Sequence, residues 1–290
     1  MTDHFSSFEA ELRRQGKRPR TISSYLSDLR HFATWFTQSN GEAFSPQAIT
    51  ILDVRSYKSH LQTVVKFKPA TVNRRLAALA RYCRFAKSQG LISEDPTSDV
   101  QGVRQQKAAR PKALDGIELR RLLREVHKSG NKRDIAIVEV LANTGLRVGE
   151  LAGLAEEDIK LSERKGQVTV RSGKGAKYRQ VPLNADARRA LYAYLDVRPV
   201  GEAGCFFVGQ RGNSLTPSAI WRMVKKYGHR AGLEISPHTL RHTFGTRLVR
   251  ENGVDLVSVA TMMGHESLDT TAVYTQPSEE DMAEATERLA

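Results

Sequence analysis

The sequence predicts a mainly α chain of two domains: an N-terminal four-helix bundle over residues 1–107 and a mostly helical second domain over 108–290 with a small antiparallel β-sheet. Three observations predict it. Apolar residues recur at helical spacing through most of the chain. One short stretch alternates at strand spacing on either side of a glycine-rich turn. The periodicity then breaks near residue 100 over a basic, proline-containing segment. A length of 290 residues accommodates two domains that each bury a core.

The first helix is marked by Phe5, Phe8 and Leu12, and the second by Ile22, Tyr25, Leu26, Leu29, Phe32 and Phe36. A third runs roughly from Pro46 to Leu61. The fourth starts at Pro69, carries Val72, Leu76, Leu79, Tyr82, Phe85 and Ala86 on one stripe, and stops at Gly90. Its Arg74, Arg75, Arg81 and Arg84, with Arg13, Arg14, Lys17, Arg18 and Arg20, form basic faces suited to tracking a phosphate backbone or simply to meeting water. The segment Ser93–Ala113 has no helical period and reads as a basic interdomain linker, a plain tether or part of a clamp around a duplex.

Beyond it, helical signals cover Ile117–His127 and Arg133–Ala142, with a stop at Gly145, and RVGELAGL opens a further helix that puts Arg147 and Glu150 on one face. Val168 and Val170, then Val181 and Leu183, flank the turn Ser172–Ala176 as a hairpin with Lys174 at its tip. Ser236-Pro237 is a good helix start; the helix buries Leu240, Phe244 and Leu248 and sets His238, Arg241 and His242 on the adjoining face. The last helices span Leu256–Met263, stopped at Gly264, and Leu268–Thr275 with Ser267 as cap; His265 lies between them and Tyr274 near the end.

Composition narrows the function. The formal net charge is +13, which favours a polyanionic partner, either nucleic acid or an anionic membrane surface. Residues 275–290 carry one Arg against five acids and are unsuited to lie on DNA. No apolar run reaches a membrane span, and the acid-bearing N-terminus does not read as a signal peptide. Only Cys83 and Cys205 occur, too few for a disulfide framework or a cysteine zinc site, so a reducing, cytoplasmic location fits. The GKG of the hairpin is neither a phosphate-binding loop nor a dinucleotide fingerprint, and no cofactor is expected. His238 and His242 have the spacing of two zinc ligands, but Arg241 lies between them and repels a dication, so no metal is expected.

Six polar residues then stand out: Arg147 in TGLRVGEL, Lys174 in SGKGAKYRQVPL, His238 and Arg241 in SPHTLRHTFGTRL, His265 in MMGHES and Tyr274 in TTAVYTQ. Two arginines give planar forked donors to phosphoryl oxygens, a lysine can protonate a leaving oxygen, and a tyrosine can attack phosphorus without a metal.

These residues, in this order and with Tyr274 nine positions after His265, resemble the signature of the tyrosine recombinase (phage integrase) family, and the whole chain resembles its compact Xer-like members. The resemblance implies a core-binding, SAM-like DNA-binding domain over 1–107 and a catalytic domain over 108–290 whose residues 276–290 form a tail exchanged between subunits or folded back as a cap. It implies Tyr274 as nucleophile forming a 3′-phosphotyrosyl intermediate, and Lys174 as general acid with Lys177 the less suited substitute. It further implies His238 as the residue handling the tyrosine proton, His265 as a phosphate donor, and Glu150 as an accessory acid orienting Arg147 or His238. Double-stranded DNA with paired inverted half-sites, a homotetramer on two synapsed sites, a Holliday junction and a nucleoid-associated, non-membrane setting follow in the same way. A type IB topoisomerase shares this chemistry without synapsis, and a silent DNA-binding regulator would need neither Tyr274 nor Lys174. The target sequence, the base-reading residues, any need for accessory proteins, and the choice among DNA integration, transposon resolution and dimer resolution stay open.

Overall fold

The structure, a computed structural model, describes residues 5–104, 113–171, 178–199, 204–209, 212–265, 267–275 and 286–287. It divides into two compact units, Met1–Ala109 and Arg110–Ala290.

The first unit is a four-helix bundle of α1 (Ser6–Arg14), α2 (Pro19–Asn40), α3 (Ile51–Thr63) and α4 (Pro69–Ser88). Proline opens α2 and α4, where its missing N–H is not needed, and Gly41 ends α2 at a φ of +72°. The predicted stripes are the core: Phe8, Leu12, Leu29, Phe32, Phe36, Val72, Leu79 and Tyr82 are all buried. Tyr57 of α3 closes it, its ring meeting Phe32 edge-on at 4.9 Å. The third helix starts later than the sequence suggests. Pro46 begins only a 3-10 turn, Pro46–Ala48, and Thr50 is the true cap: Thr50 Oγ1 accepts from Asp53 N–H at 3.2 Å while Thr50 N–H donates to Asp53 Oδ2 at 2.8 Å.

The stretch read as a linker belongs to this unit as far as Arg104. Asn73 on α4 satisfies both backbone groups of Val103, accepting at 2.6 Å and donating at 2.9 Å, and Lys58 Nζ donates to the Gln101 carbonyl at 2.7 Å. Val100 and Val103 pack on the bundle core. Aperiodicity is a faithful sign of irregular backbone here but not of a free tether; residues 105–112 lie outside the described residues.

The four α4 arginines expected on DNA also separate. Arg75, with 13% of its side chain exposed, lies over the Phe67 ring at 4.7 Å and near Tyr57 Oη, so much of it packs against the bundle. Arg74 pairs with buried Asp28, and Arg81 donates to Gln15 Oε1 at 2.5 Å over the Tyr25 ring. Arg84 is exposed without a partner among the described residues.

In the second unit α6 (Lys132–Thr144) is buried nearly all round and is the central element, packing against α5 (Gly116–Lys128), α8 (Ala185–Leu195) and α10 (Pro237–Arg250). A short α7 (Val148–Ala152) precedes an antiparallel sheet of β1 (Ile159–Leu161), β2 (Gly166–Arg171) and β3 (Tyr178–Pro182) in that spatial order. The predicted hairpin is β2–β3, with Val168 opposite Val181; β1 is an extra strand, its Ile159 opposite Val168, too short to announce itself by alternation. The helix α9 (Pro217–Arg230) leads to α10, and α11 (Leu256–Met263) ends at Gly264 as predicted, at a φ of +67°. The final helix is shorter than expected: α12 covers only Asp269–Ala272, and Tyr274 follows it. Phe244, Val259, Met263 and Tyr274 form a small core of their own between α10, α11 and α12. Among the described residues no helix is long and apolar enough to cross a membrane.

Candidate active site

The site is built on the carboxyl end of α11. A helix leaves its last carbonyls without intrahelical donors and carries partial negative charge there, so cations settle on it. Three consecutive carbonyls at this end each accept from a different arginine: Met262 from Arg179 Nε at 2.8 Å, Met263 from Arg241 Nη2 at 2.9 Å, and Gly264 from Arg147 Nη2 at 2.8 Å. Arg241 also donates from Nη1 to the Gly145 carbonyl at 2.5 Å, at the end of α6. Gly145 adopts a φ of +62° there, and a Cβ on it would come within 2.4 Å of the Phe244 ring on α10. One glycine thus ends α6 and admits α10, the helix that brings Arg241.

Glu150 is the one carboxylate of the cluster among the described residues. Its two oxygens accept from Arg147 N–H at 2.8 Å and Nη1 at 2.9 Å, and from Arg179 Nη1 at 3.1 Å and Nη2 at 2.8 Å. Burial opposes its ionisation, but the Arg179 and Arg147 hydrogen bonds outweigh it and hold the carboxyl below its usual range. Among the described residues the cluster carries three guanidiniums against one carboxylate. Burial, and then the like charge of Arg147, lower Arg241 to about 10, still protonated at neutral pH.

Tyr274 lies 6% exposed beside this surplus. Its ring sits 5.1 Å from His242 and 6.2 Å from His265, nearly parallel to the latter at 21°, and rests on Gly245, where a Cβ would approach Tyr274 Cζ to 2.6 Å. Burial raises the phenol pKa, and Arg241 and Arg147 pull it back. His265 Nδ1 is 2.7 Å from Thr271 Oγ1, and burial together with Arg241, Arg147 and Arg179 lowers His265 to about 4, so the ring is neutral.

Of the residues singled out in the sequence, Arg147, Glu150, Arg241, His265 and Tyr274 therefore converge. His238 is exposed on the first turn of α10, capped by Ser236 as predicted, and makes no hydrogen bond among the described residues; Glu150 serves Arg147 and not His238. Lys174 and Lys177 lie outside the described residues, as do all of 276–290 except 286–287. Arg179 is the residue that sequence reasoning missed, although a signal existed: on β3 it shares the inward face with Val181 and Leu183, and an arginine on an inward face requires an acid. Thr271 and Gly245 gave no comparable sign.

Residues 112–281 match the Phage integrase family, and residues 5–88 match the Phage integrase N-terminal SAM-like domain. The chain belongs to the phage integrase family. As a tyrosine recombinase it is a site-specific enzyme that cuts and rejoins DNA. The tyrosine recombinase XerA of Thermococcus kodakarensis is 34% identical over 286 residues, 97% of this chain and 93% of that one. The tyrosine recombinase XerC of Pelobacter propionicus is 36% identical over 265 residues, 90% and 85% of the two chains. A crystal structure of XerA recombinase superposes with a TM-score of 0.56 at 30% identity, covering 99% of this chain and 97% of that one. The XerH site-specific recombinase bound to palindromic difH substrate, in a post-cleavage complex, shares the fold with a TM-score of 0.77 at 24% identity, over 96% and 84% of the chains.

Proposed function

We propose that in this recombinase Tyr274 attacks the scissile phosphorus, with Arg147 and Arg241 stabilising the charge that develops on the non-bridging oxygens. The Tyr274 Oη–P bond forms as the P–O5′ bond breaks, giving a 3′-phosphotyrosyl intermediate. The phenolic proton leaves by way of His238, and Lys174 protonates the departing 5′-oxygen. One phosphodiester is exchanged for another, so religation needs no ATP. The observation that carries this reading is the cluster of three arginines at the end of α11, in cationic surplus among the described residues and set beside the Tyr274 ring.

In this reading residues 1–107 form the core-binding domain and 108–290 the catalytic domain. The protein works as a homotetramer on two synapsed duplexes with paired inverted half-sites, exchanging strands through a Holliday junction, with residues 276–290 docking on a neighbouring subunit. Tyr274→Phe tests the chemistry: the variant should bind its site as the parent does and form no denaturant-resistant protein–DNA adduct. An adduct that persists would move the nucleophile to Tyr178, 72% exposed, or to Tyr227, which is buried against Asp134. For Lys174, the alanine variant should cleave about 10²- to 10⁴-fold more slowly and recover on a substrate with sulfur at the bridging 5′ position, whose thiolate leaves unprotonated. Rescue of Lys177→Ala alone would reassign the acid.

A further inference from the structure

His265 and Thr271 form a pair whose hydrogen-bond direction the surroundings decide. Thr271 is wholly buried, and its backbone N–H is spent on the Leu268 carbonyl at 2.8 Å. Its hydroxyl has one proton to give. A helical threonine commonly returns that proton to a carbonyl one turn earlier, but no such bond forms among the described residues, where the acceptor it meets is His265 Nδ1 at 2.7 Å. Were the hydroxyl to accept from Nδ1–H instead, its own proton would be buried with no acceptor among the described residues, at a cost of about 1–3 kcal/mol. The Nδ1 atom is therefore the acceptor. In a neutral imidazole the proton then resides on Nε2. The ring is kept neutral by burial and by Arg241, Arg147 and Arg179, which bring it to about 4. Its Nε2 has no hydrogen-bond partner among the described residues.

We propose that Thr271 is a positioning residue that donates to His265 Nδ1 and so fixes the tautomer, presenting Nε2–H to a phosphoryl oxygen and denying His265 the part of base for Tyr274. This rests on the reading of Tyr274 and its arginines as the cleavage site. It also assigns the tyrosine proton to a group other than His265, since the one ring nitrogen with a lone pair is occupied by Thr271.

The test uses the full-length protein labelled with ¹⁵N-histidine, the His265 signals being assigned by their loss in His265→Gln. At neutral pH the parent should show Nδ1 unprotonated and Nε2 protonated. Thr271→Val removes the hydroxyl at nearly constant volume and should yield a mixture of tautomers, with single-turnover cleavage of a nicked substrate slowed roughly 10- to 10²-fold and DNA binding unchanged. Thr271→Ser should restore both the spectrum and the rate. A parent protonated on Nδ1, or a Thr271→Val that cleaves at the parental rate, would overturn the assignment. If the valine variant does not fold, the parent spectrum and the serine variant still decide it. The tautomer is read without turnover, so it stands or falls apart from the Tyr274→Phe adduct assay.

Discussion

Asp28 in the first unit and Glu150 in the second each lie between two arginines, yet their ionisation moves in opposite directions. Burial raises Asp28 above the usual carboxylate range despite Arg74 and Arg75, while Glu150 is held below it. The difference is one of hydrogen bonds and not of neighbouring charge. Asp28 is 4% exposed, takes its hydrogen bond from an Arg74 side chain that is itself 49% exposed, and meets Arg75 Nε only at 3.9 Å. Glu150 collects N–H bonds from Arg147 and Arg179 on both oxygens. Charge-assisted hydrogen bonds, each about twice as strong as neutral ones, offset desolvation where mere proximity does not. The surplus differs as well. Arg75 is absorbed by a ring, a hydroxyl and an acid, whereas the partners of Arg241 among the described residues are neutral carbonyls.

The largest effect that sharpens this contrast is on cleavage. Arg241→Ala should slow single-turnover cleavage by roughly 10²- to 10³-fold with a smaller loss of binding, because it removes a donor to the transition state. Arg75→Ala should instead destabilise the first unit by about 1–2 kcal/mol, through the packing its stem and guanidinium lose over Phe67 and beside Tyr57, while the folded protein cleaves at close to the parental rate. Rates and unfolding curves measured on both variants check it; equal catalytic defects in two well-folded variants would erase the distinction.

An intermediate effect separates the acids by pH. Because Glu150 has a lowered folded-state pKa, its contribution is present above the unfolded value and lost as pH falls through the folded one; the stability gap between the parent and Glu150→Gln should widen as pH rises through the carboxylate range. Asp28 has a raised folded-state pKa, so its contribution is present in acid and lost as pH rises, and the gap between the parent and Asp28→Asn should narrow over the same range. Denaturant titrations at several pH values give both slopes, and slopes of the same sign would contradict the account.

The smallest effects compare two left-handed positions. Lys66, between α3 and α4, has a φ of +56°, and Lys66→Gly should stabilise the first unit by about 0.5–1 kcal/mol by relieving that strain. Gly264 has a φ of +67°, and a Cβ there would lie 2.7 Å from Arg179 Nη1. Gly264→Ala should therefore cost about 1–2 kcal/mol and also slow cleavage by displacing the arginine from Glu150. Thermal melts and cleavage rates on the pair check this; a Gly264→Ala protein of parental activity would show that Arg179 does not govern the site.

Local chemistry makes much of this protein legible in its sequence. Proline at the first turn of α2, α4 and α10, the Ser236 cap and the glycines that end α6 and α11 act within a few residues, so the amino-acid sequence alone places the helices they bound. Arg147, Arg241, His265 and Tyr274 stand out because their order and spacing resemble the signature of the family. Partnership is not legible. Arg147 meets the Gly264 carbonyl across 117 residues of chain, Arg179 meets Glu150 across 29, and Asn73 ties down Val103 across 30. Strand alternation can mark Arg179 as inward-facing, but not which acid awaits it. Helical periodicity sets Arg75 among four equivalent arginines, and only the packing of α4 against α2 and α3 buries it. A period of 3.6 or 2 residues says which way a side chain faces, and the group it meets there is chosen by the packing of elements far apart in the chain.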